Sequence, residues 1–345
     1  MSIITKIRNA LTQNYPPRPK FTEADIPSGS QKGKVFMVTG GNAGIGFELC
    51  KLLFRSGATV YMACRSQEKA RVAIQEIQNH YGENAHGMGQ LKALHLDLSD
   101  LPSIKEAARQ FAQQEPKLDV LWNNAGIGGN AAKFGEHTTQ GLEPLIGINC
   151  VGALFFTELL LPQLTASRAS ETAGSAQQPT ARVVWVTSAL ADTMSPKNGI
   201  DFDSLDSGIK DRVANYAAAK AGVWILAREF ARRHGKDGII SLPVNPGNVR
   251  AGSYNGTGAF LMWILNTLML YDVIYGAYTE AYGGLSPSIT LKDNGIYIMP
   301  WGRVRYDHDT PRQDIIKAMN SEEEGGLGYG RKLWDWCEAK WKPYV

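Results

Sequence analysis

The stretch Val35-Phe-Met-Val-Thr-Gly-Gly-Asn-Ala-Gly-Ile-Gly46 joins an apolar run to a glycine-rich loop. Val35–Val38 has the character of a parallel strand that is buried on both faces. Glycines stand at 40, 41, 44 and 46, and apolar residues at a helical period follow them. A strand, a glycine loop and a helix in this order begin a βαβ unit in which the helix N-terminus holds the pyrophosphate of a dinucleotide. We therefore expect a dinucleotide site in this part of the chain.

The totals are those of an ordinary globular protein. The 345 residues are 43% hydrophobic and 20% charged, and the net charge of +3 is too small to indicate a nucleic-acid partner. The four cysteines have neither a disulfide framework nor metal-binding spacing, so we expect free, buried thiols: Cys50, Cys64, Cys150 and Cys337.

The chain shows no targeting or membrane-spanning segment that sequence criteria would recognise. Its N-terminus lacks the apolar core of a signal peptide, and the longest apolar stretch, Ala259–Tyr271, falls short of the ~20 residues that span a bilayer. These features predict a soluble, cytoplasmic protein. Apolar residues on one face of residues 3–11 favour packing against the main domain and leave peripheral membrane contact as the alternative.

Strands and helices alternate along the chain in the way that is typical of a parallel, doubly wound α/β sheet. The helical patterns cover 67–80, 102–113, 142–164 and 211–234. The predicted strands are Val35–Val38, Ala58–Ala63, Leu91–Leu96, Leu118–Trp122, Arg182–Thr187 and Ile239–Pro243. We predict one Rossmann-type domain over 34–345, preceded by an N-terminal extension over 1–33. A Ser- and Gln-rich surface loop is expected at 166–181, and a tryptophan-containing C-terminal extension at 296–345.

Tyr216 and Lys220 are four residues apart on a predicted helix, so their side chains project from one face. A phenol with a pKa near 10 is a poor acid–base catalyst at neutral pH, but a neighbouring ammonium group lowers that pKa. Lysine can also hold a nicotinamide ribose. The pair suits hydride chemistry on a carbonyl, and its position after a strand that ends at Ser188 strengthens this interpretation.

The chain resembles the single-domain short-chain dehydrogenases/reductases over about 210 residues. The motifs occur in the family's order: Thr39-Gly-Gly-Asn-Ala-Gly-Ile-Gly46, Asp97-Leu98, Asn123-Asn124-Ala125-Gly126, Asn149, Ser188, Tyr216 with Lys220, and Pro246-Gly247. The end of the second strand, Ala-Cys-Arg, and the tryptophan-rich tail more loosely resemble the retinol-dehydrogenase-like branch and reductases of fungal secondary metabolism.

The resemblance implies a role for each matching residue. Tyr216 would be the general acid or base, Lys220 would tune it and hold the ribose, Ser188 would orient the substrate oxygen, and Asn149 would support a proton-relay water. The cofactor would be bound by Gly40, Asn42, Gly44, Ile45, Gly46, Asp97, Leu98, Asn124, Ala125, Gly126, Tyr216, Lys220, Pro246, Gly247 and Val249. Each residue alone has a purely structural alternative, such as a helix polar residue, a strand cap or a turn.

The cofactor is predicted to be NADP(H). An NAD-binding enzyme commonly carries a carboxylate about 20 residues beyond the glycine loop, but this chain has Cys64 there, followed by Arg65. A guanidinium group can bind a 2′-phosphate, and no carboxylate repels it. The structural alternative is that Arg65 is only a solvated residue at a strand end.

Two further features concern the region after the sixth strand. Ala251 stands where many relatives have a threonine that contacts the nicotinamide, so the detail of that anchoring is open. The apolar block Phe260-Leu-Met-Trp-Ile-Leu265 makes 251–275 a candidate substrate lid, with buried core or a dimer contact as alternatives.

These observations predict an oxidoreductase that interconverts a carbonyl and an alcohol on a fairly large apolar small molecule, such as a polyketide, terpenoid, steroid or retinoid-like compound. A regulatory NADP-binding protein without turnover, and an enzyme of epimerisation or C=C reduction, remain the alternatives. No metal is implied, and the chain is expected to be a monomer or a homodimer.

Overall fold

The computed structural model describes residues 12–82, 87–169, 181–251 and 269–345. Its centre is an eight-stranded sheet with the order β3-β2-β1-β4-β5-β6-β7-β8. The first seven strands run parallel, and only β8 is antiparallel to its neighbour. The strands are β1 (Val35–Thr39), β2 (Thr59–Cys64), β3 (Gln90–His95), β4 (Val120–Asn123), β5 (Ala181–Val186), β6 (Ile239–Val244), β7 (Tyr297–Met299) and β8 (Arg303–Arg305).

Helices cover both faces of the sheet, which confirms the predicted doubly wound α/β fold. They are α1 (Gly44–Arg55), α2 (Gln67–Tyr81), α3 (Leu101–Gln114), α4 (Pro144–Leu159), α5 (Leu161–Ala169), α6 (Ala189–Thr193), α7 (Arg212–His234), α8 (Val273–Leu285), α9 (Gln313–Met319) and α10 (Tyr329–Trp341). One hydrophobic core lies between the sheet and α3, α4, α7 and α10, and a second lies between the sheet and α1, α2 and α8. Because loops follow the carboxyl ends of the parallel strands at one edge, this edge is where a site can form.

The helix predicted over 142–164 is not continuous, so that prediction was wrong in detail. Gly147–Gly152 forms a π-helical segment within α4, and α4 meets α5 at an angle of 55°. Pro162, at the start of α5, explains the bend because its ring removes a backbone donor and clashes with the preceding turn. The π-helical segment matters for the site because it carries Asn149.

The C-terminal part of the chain contributes more to the core than its sequence indicated. Two strands, a helix over Val273–Leu285 and the two C-terminal helices were not predicted. Trp301, Trp334 and Trp341 are buried, and Trp341 stacks on Phe155 with ring centroids 5.3 Å apart. The glutamate- and glycine-rich segment 322–325 is exposed.

The remaining predictions concern the cysteines and three segments that lie mostly outside the described residues. All four cysteines are free and buried, as expected. The amphipathic stretch 3–11, most of the 166–181 loop and most of the candidate lid at 251–275 lie outside the residues that the structure describes, so the proposed division into extension, lid and tail stays a prediction.

Within the described ranges, no single helix has both the length and the apolar composition of a membrane span. The pair Pro144–Leu159 and Leu161–Ser167 meets those criteria only when it is counted together across its bend.

Candidate active site

The glycine loop lies between the carboxyl end of β1 and the first turn of α1. A Cβ atom at Gly46 would lie 2.6 Å from the side-chain nitrogen of Asn124, so only glycine permits this close approach. Gly40 and Gly44 have positive φ angles of 68° and 56°. Ala43 at the N-cap makes no side-chain hydrogen bond to the first turn of α1, so the backbone N–H groups there are suited to an anion such as a pyrophosphate.

Asn124 and Ala125 fix this loop to the neighbouring strand β4. The side-chain amide of Asn124 donates to the carbonyl oxygen of Thr39 at 2.7 Å, and the N–H of Ala125 donates to the Thr39 hydroxyl oxygen at 2.9 Å. The Thr39 hydroxyl in turn donates to the Trp122 carbonyl at 3.2 Å. The ends of β1 and β4 are therefore held at a fixed spacing. The contact of Asn124 and Ala125 with the cofactor stays a prediction.

Tyr216 and Lys220 lie on α7, as the spacing predicted, and face the end of β5. The Nζ atom of Lys220 lies 5.8 Å from the centre of the Tyr216 ring. It donates to the carbonyl oxygen of Val186 at 2.9 Å, and the hydroxyl of Thr187 donates to the Lys220 carbonyl at 2.7 Å. These two bonds attach α7 to the end of β5, immediately before Ser188.

Burial lowers the pKa of Lys220 from 10.5 to about 8, against smaller opposing effects of Cys150 and Glu280. The side chain is buried and keeps its positive charge at neutral pH because its pKa still lies above 7. A charged ammonium group next to a phenol favours the phenolate. The effect of Lys220 on Tyr216 stays a prediction.

Asn149 meets this group from the π-helical segment of α4. Its side-chain oxygen accepts from the N–H of Ile127 at 3.0 Å, and its amide donates to the Ile127 carbonyl at 3.3 Å. A Cβ atom at Gly126 would lie 2.5 Å from the Asn149 oxygen and 3.1 Å from Lys220 Nζ. Gly126 therefore allows Asn149 and Lys220 to approach one another, and π-helical turns of this kind are frequent at functional sites.

Ser188 caps the short helix α6. Its hydroxyl oxygen accepts from the N–H of Leu190 at 3.2 Å. A hydroxyl group that accepts in this way still has its own proton to donate. The side chain is half-buried at the carboxyl end of the sheet, on the segment attached to Lys220.

Arg65 and Asp97 follow the neighbouring strands β2 and β3. Arg65 is exposed, whereas Cys64 is buried, and burial raises the pKa of its thiol to about 11. One carboxylate oxygen of Asp97 accepts from the backbone and the hydroxyl of Ser99. The Arg65 side chain is therefore accessible to a ligand at this edge of the sheet. Its binding of a 2′-phosphate stays a prediction.

Pro246, Gly247 and Val249 follow β6 on the same edge. Gly247 has a φ of 82° and packs against the Trp301 ring so closely that a Cβ atom would lie 2.5 Å from it. Ala251, which replaces the usual threonine, lies beside the loop, with its Cβ 3.8 Å from the position a Cβ would take at Gly44. The remaining predicted residues, Asn42, Ile45 and Leu98, lie in the glycine loop, the first turn of α1 and the segment after β3.

Sequence reasoning missed three buried polar residues near this edge. Asn245 accepts from the N–H of Gly247 at 3.0 Å, Asp192 pairs with Arg305 at 2.5 Å, and Glu280 is a completely buried carboxyl group on α8. Asn245 stood directly before Pro246-Gly247 and could have been suspected as a turn residue. Asp192 and Glu280 gave no signal in the sequence, because only the fold shows that they are buried.

Comparison with known proteins agrees with the fold. The family model described as short chain dehydrogenase matches residues 34–200. A short-chain dehydrogenase/reductase of Pestalotiopsis fici, iacJ, is 45% identical over 96% of this chain and 97% of its own length. The crystal structure of an uncharacterized protein from Mycobacterium paratuberculosis is 26% identical, with a TM-score of 0.65 over 93% of this chain and 97% of that one. The NADPH-bound carbonyl reductase from chicken fatty liver is 20% identical, with a TM-score of 0.57 over 80% and 99%, and shares the fold. This chain belongs to the short-chain dehydrogenase/reductase family, as the order of its motifs indicated.

Proposed function

We propose that this protein is an NADP(H)-dependent reductase that interconverts a carbonyl and an alcohol, with Tyr216 as the proton donor. The observation that carries the proposal is the position of the Lys220 ammonium group, 5.8 Å from the Tyr216 ring at the end of β5. Membership in an oxidoreductase family that uses a nicotinamide cofactor agrees with it. The glycine loop and the uncapped first turn of α1 fit such a cofactor.

The side chains divide the chemistry between them. Bound nicotinamide would supply the hydride that reduces the carbonyl carbon. Tyr216 gives its phenolic proton to the carbonyl oxygen, and the charge of Lys220 stabilises the phenolate that remains. The Ser188 hydroxyl donates to the same oxygen and stabilises its developing negative charge. Asn149 would support the return of a proton to Tyr216 through water, and Gly126 lies close to both Asn149 and Lys220.

The preference for NADP rests on Arg65. Its guanidinium group is exposed directly after β2, and Cys64 occupies the place of the carboxylate that would repel a 2′-phosphate. Replacing Arg65 by alanine should weaken NADPH binding about 10- to 100-fold, the range expected for a charged hydrogen bond, and leave NADH binding nearly unchanged. Fluorescence titration with both cofactors measures this ratio, and Arg71→Ala, which removes an exposed arginine of α2, is the matched control. An unchanged ratio in Arg65→Ala would show that NADP specificity lies elsewhere.

The substrate is proposed to be apolar because large apolar side chains stay exposed near the catalytic pair. Val213 lies one turn before Tyr216 and is 46% exposed, and Met194 follows the helix that Ser188 caps and is 49% exposed. Phe134, in the loop after β4, is 53% exposed. Exposed apolar side chains of this size are suited to cover an apolar ligand.

The test is NADPH oxidation against a panel of large apolar ketones, with Tyr216→Phe as the control. Removing the phenolic proton should lower kcat by about 10²- to 10⁴-fold, while NADPH affinity stays within about threefold of the wild-type value. Tight NADPH binding without turnover on any ketone would favour a regulatory NADP-binding protein or a different reduction. Equal turnover in Tyr216→Phe would remove Tyr216 from the mechanism.

A further inference from the structure

The N-terminal segment reaches the edge of the sheet where the catalytic residues lie. Gln13 is buried, with 3% of its surface exposed. Its neighbours are also bound: Arg303 of β8 donates to the Thr12 carbonyl at 2.6 Å, and Asn248 donates to the Asn14 side-chain oxygen at 2.8 Å. A segment that precedes the first strand of the fold by more than 20 residues is therefore attached to the turn after β6.

Gln13 lies in the middle of a continuous series of hydrogen bonds. The N–H of Gly247 donates to Asn245 at 3.0 Å, and the Asn245 amide donates to the Gln13 side-chain oxygen at 2.8 Å. The Gln13 amide then donates to Asp192 at 2.9 Å, and the same carboxylate oxygen accepts from Arg305. We refer to these residues, Gly247, Asn245, Gln13, Asp192 and Arg305, as the Gln13 relay.

The direction of every hydrogen bond in the Gln13 relay is fixed by its two ends. An ionised carboxylate only accepts, so Gln13 must direct its amide nitrogen at Asp192 and its oxygen at Asn245. Asn245 must then donate to Gln13 and accept from Gly247, whose backbone N–H can only donate. The side-chain amides of both residues thus have a single orientation that satisfies the partners in the Gln13 relay.

The Gln13 relay adds a second connection between two parts of the site that the sheet already brings together, because the N–H of Thr187 at the end of β5 donates to the Val244 carbonyl of β6 at 2.8 Å. Asp192 lies on α6, four residues after Ser188, and Gly247 belongs to the turn that is predicted to bind the cofactor. We propose that Gln13 is a positioning residue, which sets the spacing between the substrate-orienting Ser188 and the Pro246-Gly247 turn. The N-terminal extension is in this way a part of the active site. This inference rests on the proposed reductase function.

Two substitutions at the same position separate positioning from general stability. Gln13→Met has a similar length and removes both hydrogen bonds at every pH. Gln13→Glu has the same shape, but its ionised carboxylate would face the acceptor oxygens of Asp192. When protonated, its O–H can donate to Asp192 and its carbonyl oxygen can accept from Asn245, which restores the relay. Among the described residues, the charged groups around this position are Asp192 on α6, Arg303 and Arg305 on β8, and Arg312, which donates to the Asp192 carbonyl at 3.4 Å. Tyr297 on β7 also faces Asp192, and burial raises the pKa of its phenol, so it stays neutral.

The experiment measures kcat, KM and NADPH dissociation constants for the wild type and both variants between pH 5.5 and 8. We expect Gln13→Met to lower kcat about tenfold or more at all pH values, because small misplacements of reacting groups are costly. Gln13→Glu should be equally impaired at pH 8 and should recover toward the wild-type value as the pH falls. NADPH affinity should change less than about threefold in both variants, since most of it comes from the remote phosphate and adenosine contacts. Gln113→Glu, on the exposed surface of α3, is the matched control for an added carboxylate and should follow the wild type.

The inference would be overturned if both variants had the wild-type kcat. It would also be overturned if kcat fell only in proportion to the fraction of unfolded protein. So would the absence of any recovery of Gln13→Glu at low pH. A wild type that binds NADPH but reduces no ketone would instead refute the proposed function. In that case the fluorescence emission of bound NADPH is measured in place of kcat. An emission shift in Gln13→Met at all pH values, and in Gln13→Glu only at high pH, would still support the positioning role of Gln13. Unshifted emission in both variants would reject it.

Discussion

Replacing Glu280 by glutamine should change how the stability of the protein depends on pH. Glu280 lies on α8, is completely buried, and neither of its carboxyl oxygens has a hydrogen-bond partner among the described residues. Burial raises its pKa from 4.5 to about 8, although the charge of Lys220 opposes this shift. The carboxyl group is therefore protonated in the folded protein at pH values where it is ionised in the unfolded chain.

The sign of the effect follows from the direction of the pKa shift. A group whose pKa is raised on folding contributes its full stability below pH 4.5, and this contribution is lost as the pH rises toward 8. Between pH 5 and 7 the folded state holds one more proton than the unfolded state, so stability falls by about 1.4 kcal/mol per pH unit, or about 3 kcal/mol over the interval. Lys220, with a pKa of about 8, stays mostly charged in this range, and the Cys50 thiol, whose pKa is raised by burial, stays neutral.

Chemical denaturation of the wild type and Glu280→Gln at pH 5, 6 and 7 measures this effect. Glutamine is neutral and has nearly the same shape as the protonated glutamate, so the two proteins should have similar free energies of unfolding at pH 5. The glutamine variant should become the more stable one by about 3 kcal/mol at pH 7. Other titrating groups are common to both proteins and cancel in the difference. A difference that is constant across the three pH values would refute the reasoning, because Glu280 would then titrate alike in the folded and unfolded states.

Two further substitutions test the packing at the site and at the C-terminus. Gly46→Ala would place a methyl group 2.6 Å from the Asn124 amide. We expect the free energy of unfolding, measured by urea denaturation, to fall by about 1–3 kcal/mol, and NADPH binding to weaken. Wild-type values for both would show that the glycine loop can move away from Asn124. Trp341→Ala removes a buried ring that stacks on Phe155, and it should cost about 3–5 kcal/mol. The half-buried Trp336, on the same helix, is the control. An equal loss of stability in Trp336→Ala would show that the stacking of Trp341 on Phe155 is not what stabilises the C-terminal helix.

The sequence predicted the parts of the fold whose signals are local. Five of the first six strands are apolar runs, the third alternates apolar and polar residues, and all six lie in the sheet within about two residues of the predicted ends. Strands β7 and β8 are only three residues long and have no period to detect. The tryptophans of the tail were noticed, but the burial of Trp334 and Trp341 depends on contacts with α7 and α4, which lie far away in the sequence.

The candidate site shows the same division. Glycines, Asn149, Ser188, Tyr216 and Lys220 were found because their types and spacing resemble a family pattern, and the fold brings their elements to one edge of the sheet. Glu280 could not be found in this way. A glutamate on an amphipathic helix normally faces water, and only the packing of α8 against α1 and the sheet places its carboxyl group in the core.

Asp192 explains why both ends of this chain matter to the site. Gln13 lies 179 residues before it and Arg305 lies 113 residues after it, and both donate to its carboxylate. The charge of Asp192 is buried, and a buried carboxylate is tolerated only when such partners satisfy it. Losing either partner would therefore leave that charge less well satisfied on α6, the helix that Ser188 caps. The N-terminal segment and β8 are thus both bound to α6, the helix that begins at the predicted catalytic residue Ser188. A change in the contacts of either segment is therefore expected to change the position of Ser188.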